Sequence, residues 1–129
     1  MAHDGQDLQM KQIVLPELLT LTAAALPPLE AILDKARLSV RAMVSQEDRV
    51  SGQLIEENQT AAHGLSWLAT YVYSLRQMQA WADRLQENGS FGEIEQLIHQ
   101  IAFGEYLWQV YGGIQMNQGE ILRLQDLGL

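Results

Sequence analysis

The chain has no cysteine at all among its 129 residues. That absence excludes a disulfide framework, a thiol nucleophile and thiolate metal sites. Basic residues are scarce as well: 8 Lys and Arg stand against 16 Asp and Glu, a formal net charge of −8. Phosphate backbones and anionic lipid surfaces repel such a chain on average. Lys35, Arg37 and Arg41 are three charges along an apolar segment and make no basic patch of the nucleic-acid kind. No apolar run approaches the roughly 20 residues that cross a bilayer. The opening Met1-Ala-His-Asp-Gly-Gln-Asp7 lacks the basic and apolar regions of a signal peptide and is expected to be a frayed terminus over residues 1–7. These features are compatible with a cytoplasmic protein that engages neither nucleic acid nor membrane. Three prolines and ten glycines mark few turns, and strand-like alternation is almost missing.

What is present is helical periodicity. Hydrophobic residues make up 47% of the chain, the level of a folded domain. A first helix is expected from about Leu8 to Leu26, with Pro16 as a possible alternative start and the Pro27-Pro28 pair as its end. A second follows at once, with the stripe Leu29, Ile32, Leu33, Ala36, Val40, Met43 and Val44. A third, long helix runs from Gln46 or Ser51 to Asn88, with Gly89 placed as its C′ residue. It has two apolar stripes: Ala61, Leu65, Leu68, Val72, Leu75, Ala82 and Leu85, and Trp67, Tyr71, Ser74, Met78 and Trp81. A helix that is apolar on two sides is central in a bundle or covered by another subunit. Gly64 within it predicts a close helix crossing. Ser90-Phe-Gly-Glu93 has the form of a capping box and opens a fourth helix, which Gly112-Gly113 ends; Gly104 inside it again predicts close packing. Four helices with short links predict an all-α domain, an antiparallel four-helix bundle over residues 8–113. Residues 114–129 form a tail still rich in leucine and isoleucine. It either leads into a following domain or folds back on the bundle.

Chemistry-bearing constellations are thin. Di-iron bundles need two Glu-x-x-His motifs, whereas Glu95 and His99 are four apart and Glu57 and His63 six apart. No metal site is expected, and His63 and His99 read as partly exposed helix residues. Glu56-Glu57, Glu93, Glu95 and Asp48 belong to solvated faces rather than to an acid–base pair. Ser66 and His63 are close enough on one helix to touch but lack an orienting third group, and no serine sits in a nucleophile elbow. No catalytic residue is assigned. The nine aromatics read as core or interface before they read as a ligand pocket.

Three segments carry more: Ala62-His-Gly-Leu-Ser-Trp-Leu-Ala-Thr-Tyr-Val72, Phe91-Gly-Glu-Ile-Glu95, and Phe103 to Glu120. Together they resemble the N-terminal helical extension of bacterial acyl-CoA dehydrogenases of the methylsuccinyl-CoA dehydrogenase type. The resemblance covers most of residues 60–129, while residues 1–59 match in general character. It implies a bundle similar in kind to the C-terminal bundle of those flavoenzymes. Gln109-Val-Tyr-Gly-Gly113 is similar to a Gln-x-x-Gly-Gly-x-Gly turn that in the family approaches the pyrophosphate of FAD. Gln109, Gly112 and Gly113 fall on matching positions and are the candidate cofactor-binding residues, in vestigial form. Gln115 replaces the third glycine and no basic residue is near in sequence. The family's catalytic glutamate has no counterpart here. The resemblance therefore implies a non-catalytic accessory domain, without its own cofactor, of an enzyme that oxidises an acyl-CoA with FAD, its partners being the flavoenzyme core of the same chain and/or further copies. A free-standing helical dimerisation or interaction module, joined through the long third helix, is the alternative, and a small-ligand or metal-binding bundle is a third.

Overall fold

A computed structural model describes residues 13–129; the expected terminus over 1–7 and the start of the first helix near Leu8 lie outside the described residues. The order is α1 (Leu18–Val44), β1 (Ser45–Gln46), β2 (Arg49–Val50), α2 (Gly52–Glu57), α3 (Gln59–Glu87), α4 (Glu93–Gly112), β3 (Ile114–Gln115), β4 (Ile121–Leu122) and a 3₁₀ turn, Leu124–Leu127. The all-α bundle class holds, with its helices divided differently from the sequence expectation.

The Pro27-Pro28 pair does not end a helix. α1 runs through both prolines for 27 residues. Each proline removes one amide hydrogen bond, freeing the carbonyls of Ala23 and Ala24. All four residues are exposed, so water takes up those carbonyls and the helix continues. The stripe from Leu29 to Val44 faces inward as its spacing predicts, while Leu21 lies half exposed on the outside.

The expected single long third helix is broken up at its start. Residues 45–50 form a hairpin with Ser45 opposite Val50 and Gln46 opposite Arg49. Its two-residue turn, Glu47-Asp48, has φ of 51° and 61°, the left-handed pair that a type I′ turn requires. α2 then starts on Ser51, whose hydroxyl accepts from the Leu54 amide at 3.3 Å. α3 ends in a Schellman closure: Ser90 N–H donates to the Leu85 carbonyl at 2.8 Å, Gly89 N–H to that of Gln86 at 3.1 Å, and Gly89 takes φ +69°.

Ser90 does not cap α4. The helix starts at Glu93 with Gly92 as its N-cap and no side-chain cap. The Ser90 carbonyl instead accepts from the Gly92 amide at 2.9 Å, which turns the chain two residues further on. Glu93 and Glu95 then lie in the first turn, where carboxylates complement the exposed amides.

α3 is the middle helix. It packs antiparallel to α1, with Arg76 Nη2 2.7 Å from Glu30 Oε1, and antiparallel to α4, with Tyr71 stacked on Tyr106 at 4.2 Å. Leu68, Val72, Leu75 and Ala82 form its fully buried row. The tail folds back on the bundle. Ile114, Met116, Leu122 and Leu127 are buried beside the first turns of α3 and the last turns of α1. α4 has 20 residues and α3 has 29, so the tail fills the length that α4 leaves uncovered.

Two glycines mark this contact. A Cβ on Gly64 would stand 2.7 Å from Leu122 Cδ2, so the close approach at Gly64 is with the tail and not with a crossing helix. A Cβ on Gly104 would meet nothing within 4 Å among the described residues; its expected close packing is absent within the bundle.

Candidate functional site

Gln109, Gly112 and Gly113 lie together at the C-terminal end of α4. The Gln109 side chain turns toward α3, where its Oε1 accepts from the Tyr71 hydroxyl at 2.6 Å. Burial, and then the neighbouring Tyr106, raise the Tyr71 pKa above the ordinary phenol value, so the hydroxyl remains a donor. Trp67 packs edge-on against Tyr71, and His63 edge-on against Trp67. The Trp67 indole N–H donates to His63 Nε2 at 3.0 Å, which leaves the proton on Nδ1, facing Glu120 at 3.8 Å. The His63–Ser66 pairing suggested by spacing is thus replaced by His63–Trp67, one step further along the helix.

Gly112 is the last residue of α4 and is exposed. Gly113 takes φ +137°, and a Cβ there would come 2.7 Å from Ile121 Cγ2. Its freedom serves the close return of β4 beside β3. Its amide is already donated to the Gln109 carbonyl at 2.7 Å. The fold also brings a cation to this turn that is remote in sequence: the Arg123 stem passes beside Gly113. Even so, the glycine pair does not fit a pyrophosphate cradle, because Gly112 lies inside the helix and the Gly113 amide is spent on the Gln109 carbonyl, so the turn does not present the free backbone amides that an anion needs.

A second polar group lies in the core near the other end. His99 is wholly buried, contrary to its reading as a partly exposed residue. It lies four residues before Phe103 on the inner face of α4, tilted on Phe103 at 4.7 Å between ring centres. Thr22 of α1 and Gln79 of α3 meet it. Gln79 Nε2 faces two acceptors, the Leu19 carbonyl and Asp83 Oδ1, so its Oε1 must face Thr22. Thr22 has one proton and gives it to Gln79 Oε1 at 2.6 Å. The contact of 2.8 Å between Thr22 Oγ1 and His99 Nε2 therefore needs the proton on Nε2. Desolvation holds the His99 pKa below its ordinary value against the opposing pull of Asp83 and the Met78 backbone, so the ring is neutral with a bare, buried Nδ1. Position in the stripes signalled this group: Gln79 falls between Leu75 and Ala82 on the buried row of α3.

The third feature is an open groove of about 820 Å³ along α3 and α4. Tyr73, Met78 and Trp81 of α3 and Ala102 and Tyr106 of α4 line it, with Arg84 at one end. It follows the second apolar stripe over Met78 and Trp81, while Trp67 and Tyr71 of the same stripe pack on the histidine and tyrosine described above. Among the described residues no group of three or more His, Asp or Glu is placed to hold a metal, and no helix is long and apolar enough to cross a membrane.

No family model matches the chain. It is 56% identical over 118 residues to the (2S)-methylsuccinyl-CoA dehydrogenase of Cereibacter sphaeroides. The chain resembles part of that enzyme. The match takes in 92% of this chain and 22% of the relative, so the chain spans about a fifth of the length of the curated relative it matches. The resemblance read from the segments between Ala62 and Glu120 holds. It also reaches further than they do, because a match of 118 residues must extend well into residues 1–59.

Proposed function

We propose that this chain is a non-catalytic accessory helical domain of an FAD-dependent acyl-CoA dehydrogenase-like enzyme located in the cytoplasm. The observation that carries the reading is the 56% identity along nearly the whole chain to a fifth of such a dehydrogenase. Two structural features support it. Thr22, Gln79 and His99 Nε2 are engaged with one another in the core, and Gln109 Oε1 with the Tyr71 hydroxyl. FAD, the catalytic base and the acyl-CoA site belong on this reading to the rest of the enzyme, and Gln109, Gly112 and Gly113 are a turn that kept its shape without the cofactor. On this reading α1, α3 and α4 form the bundle, and residues 114–129, folded back on it, lead toward the flavoenzyme core.

The test compares the full polypeptide encoded with this chain against the 129 residues alone. The full polypeptide carries flavin and oxidises an acyl-CoA at the α,β-carbons with a supplied electron acceptor, while the 129 residues do neither. Flavin-dependent turnover by the short chain refutes the accessory role. The exposed apolar face of α4 also suits a second reading, a free-standing dimerisation module. Sedimentation showing a tight dimer of a polypeptide that has no dehydrogenase activity favours that reading.

A further inference from the structure

The asparagines of the chain are Asn58, Asn88 and Asn117. Two of them are held. Asn58 Nδ2 donates to the Leu54 carbonyl at 2.8 Å, and Gln59 follows it as the first residue of α3. Asn117 Nδ2 donates to Glu120 Oε2 at 2.8 Å, its Oδ1 accepts from the Gly119 amide at 3.1 Å, and Gln118 follows it. Asn88 differs on both counts. It is exposed, its carboxamide meets no hydrogen-bond partner among the described residues, and the next residue is Gly89.

The glycine matters because it has no Cβ to shield its backbone nitrogen. An asparagine carboxamide can react with the nitrogen of the following residue, since the product is an unstrained five-membered ring. At Gly89 the approach is open: a Cβ there would meet nothing within 4 Å among the described residues.

We propose that Asn88-Gly89 is a site of spontaneous covalent modification, at which the asparagine loses ammonia through a cyclic imide and becomes aspartate or isoaspartate, at a rate set by the opening of the Schellman closure of α3. Gly89 N gives its proton to hydroxide and attacks Asn88 Cγ. The N–Cγ bond forms, the Cγ–Nδ2 bond breaks, and Nδ2 takes up a proton and leaves as ammonia. Water then opens the imide on either side of the nitrogen. Cleavage at Cγ gives aspartate in the ordinary linkage. Cleavage at the backbone carbonyl carbon gives the isoaspartyl linkage, with one extra carbon in the main chain. The balance needs only water and hydroxide.

The closed helix end opposes the first step. Gly89 N–H is donated to the Gln86 carbonyl at 3.1 Å, and the neighbouring Ser90 N–H to that of Leu85 at 2.8 Å. Asn88 has ψ −1°, which eclipses Gly89 N with the Asn88 backbone nitrogen and turns it away from Cγ. Attack therefore waits for the last turn of α3 to open, and helix ends open more readily than helix centres. The new carboxylate then sits at the negative end of the helix dipole. The isoaspartyl carbon also moves the Gly89 and Ser90 amides out of register with Gln86 and Leu85. The link from α3 into α4 loosens as the protein ages.

The full polypeptide is aged in warm, mildly alkaline buffer, both folded and in urea, then digested at acid pH for mass spectrometry. In the folded protein the peptide with Asn88 gains about one mass unit and splits into two isomers, at least about tenfold faster than the peptides with Asn58 and Asn117 change. In urea it reacts at least about tenfold faster still, because the helix end no longer restrains it. Ser90→Pro removes the amide that bonds Leu85 and keeps Asn88-Gly89. It moves the folded rate toward the urea rate, while circular dichroism shows that the helices persist. An Asn88 that changes no faster than Asn58 and Asn117 overturns the modification site. Equal rates in the folded protein and in urea overturn control by the helix end.

Discussion

Gly64→Ala tests whether the tail is seated where the structure places it. In an open helix this substitution stabilises by about 1 kcal/mol, because alanine loses less backbone entropy than glycine. Here the new methyl would come 2.7 Å from Leu122 Cδ2 and 2.9 Å from its Cγ. Leu122 is 2% exposed, and its backbone is fixed opposite Ile114 in the β3–β4 ladder, so its side chain has little room to yield. Overpacking of this kind costs about 1–3 kcal/mol. The two effects oppose, and the steric one is larger. The variant is expected to lose about 1 kcal/mol, a fall in Tm of roughly 3–5 °C for a chain of this size.

The companion variant separates this cause from others. Leu122→Ala alone removes a buried side chain and costs about 2–5 kcal/mol. In the double variant the methyl at 64 has space and the helix gain returns. The double variant is therefore more stable than the sum of the single effects by about 1–3 kcal/mol. Urea unfolding followed by circular dichroism supplies all four stabilities. Gly64→Ala raising stability by about 1 kcal/mol, additively with Leu122→Ala, refutes the packing of the tail on α3.

His99 sets a pH dependence. Its folded pKa lies below the ordinary value, so the contribution is fully present above about pH 6.5 and is lost as pH falls. Below that point the unfolded chain takes up a proton that the folded chain does not, at a cost of at most about 1.4 kcal/mol per pH unit until the folded pKa is reached. Between pH 7.5 and 5.5 the natural chain loses about 1 kcal/mol more than His99→Phe, measured by urea unfolding at each pH; parallel curves for the two proteins contradict the buried neutral ring. The Glu47-Asp48 turn holds two non-glycine residues at positive φ. Replacing the pair by Asn-Gly is expected to raise stability by about 1 kcal/mol, and an unchanged denaturation midpoint contradicts the type I′ geometry.

Helical periodicity made the class of the fold legible, and with it the inward stripe from Leu29 to Val44 and the Gly89 and Gly112-Gly113 stops. Other features depended on the side of a helix that a residue occupies, which spacing alone does not supply. Pro27 and Pro28 are tolerated because Ala23 and Ala24 face water. Ser90 is passed over because the chain turns once more before Glu93. The hairpin at 45–50 was hidden because Glu-Asp is an uncommon pair for its turn and each strand has two residues. At the candidate site, Gln109 and the glycine pair were identifiable, but their uses were not. The Tyr71 hydroxyl and β4 arrive from elsewhere in the chain, and Arg123 reaches the turn only through the fold.

The same reasoning explains why α3 is apolar on two sides. One row meets α1 through Leu68, Val72, Leu75 and Ala82, which are wholly buried. The other divides along its length. Tyr71 is covered by Tyr106, whereas Met78 and Trp81 open into the groove. α4 shows the same division, with Phe103 and Val110 buried and Ile94, Ile98, Ile101 and Trp108 bare. A free surface helix gains nothing from three isoleucines and a tryptophan facing water, and a mid-helix glycine on the same face weakens it further. α4 is thus packed between α1 and α3 on one side, through His99, Phe103 and Val110, and presents to the other a side that no described residue covers.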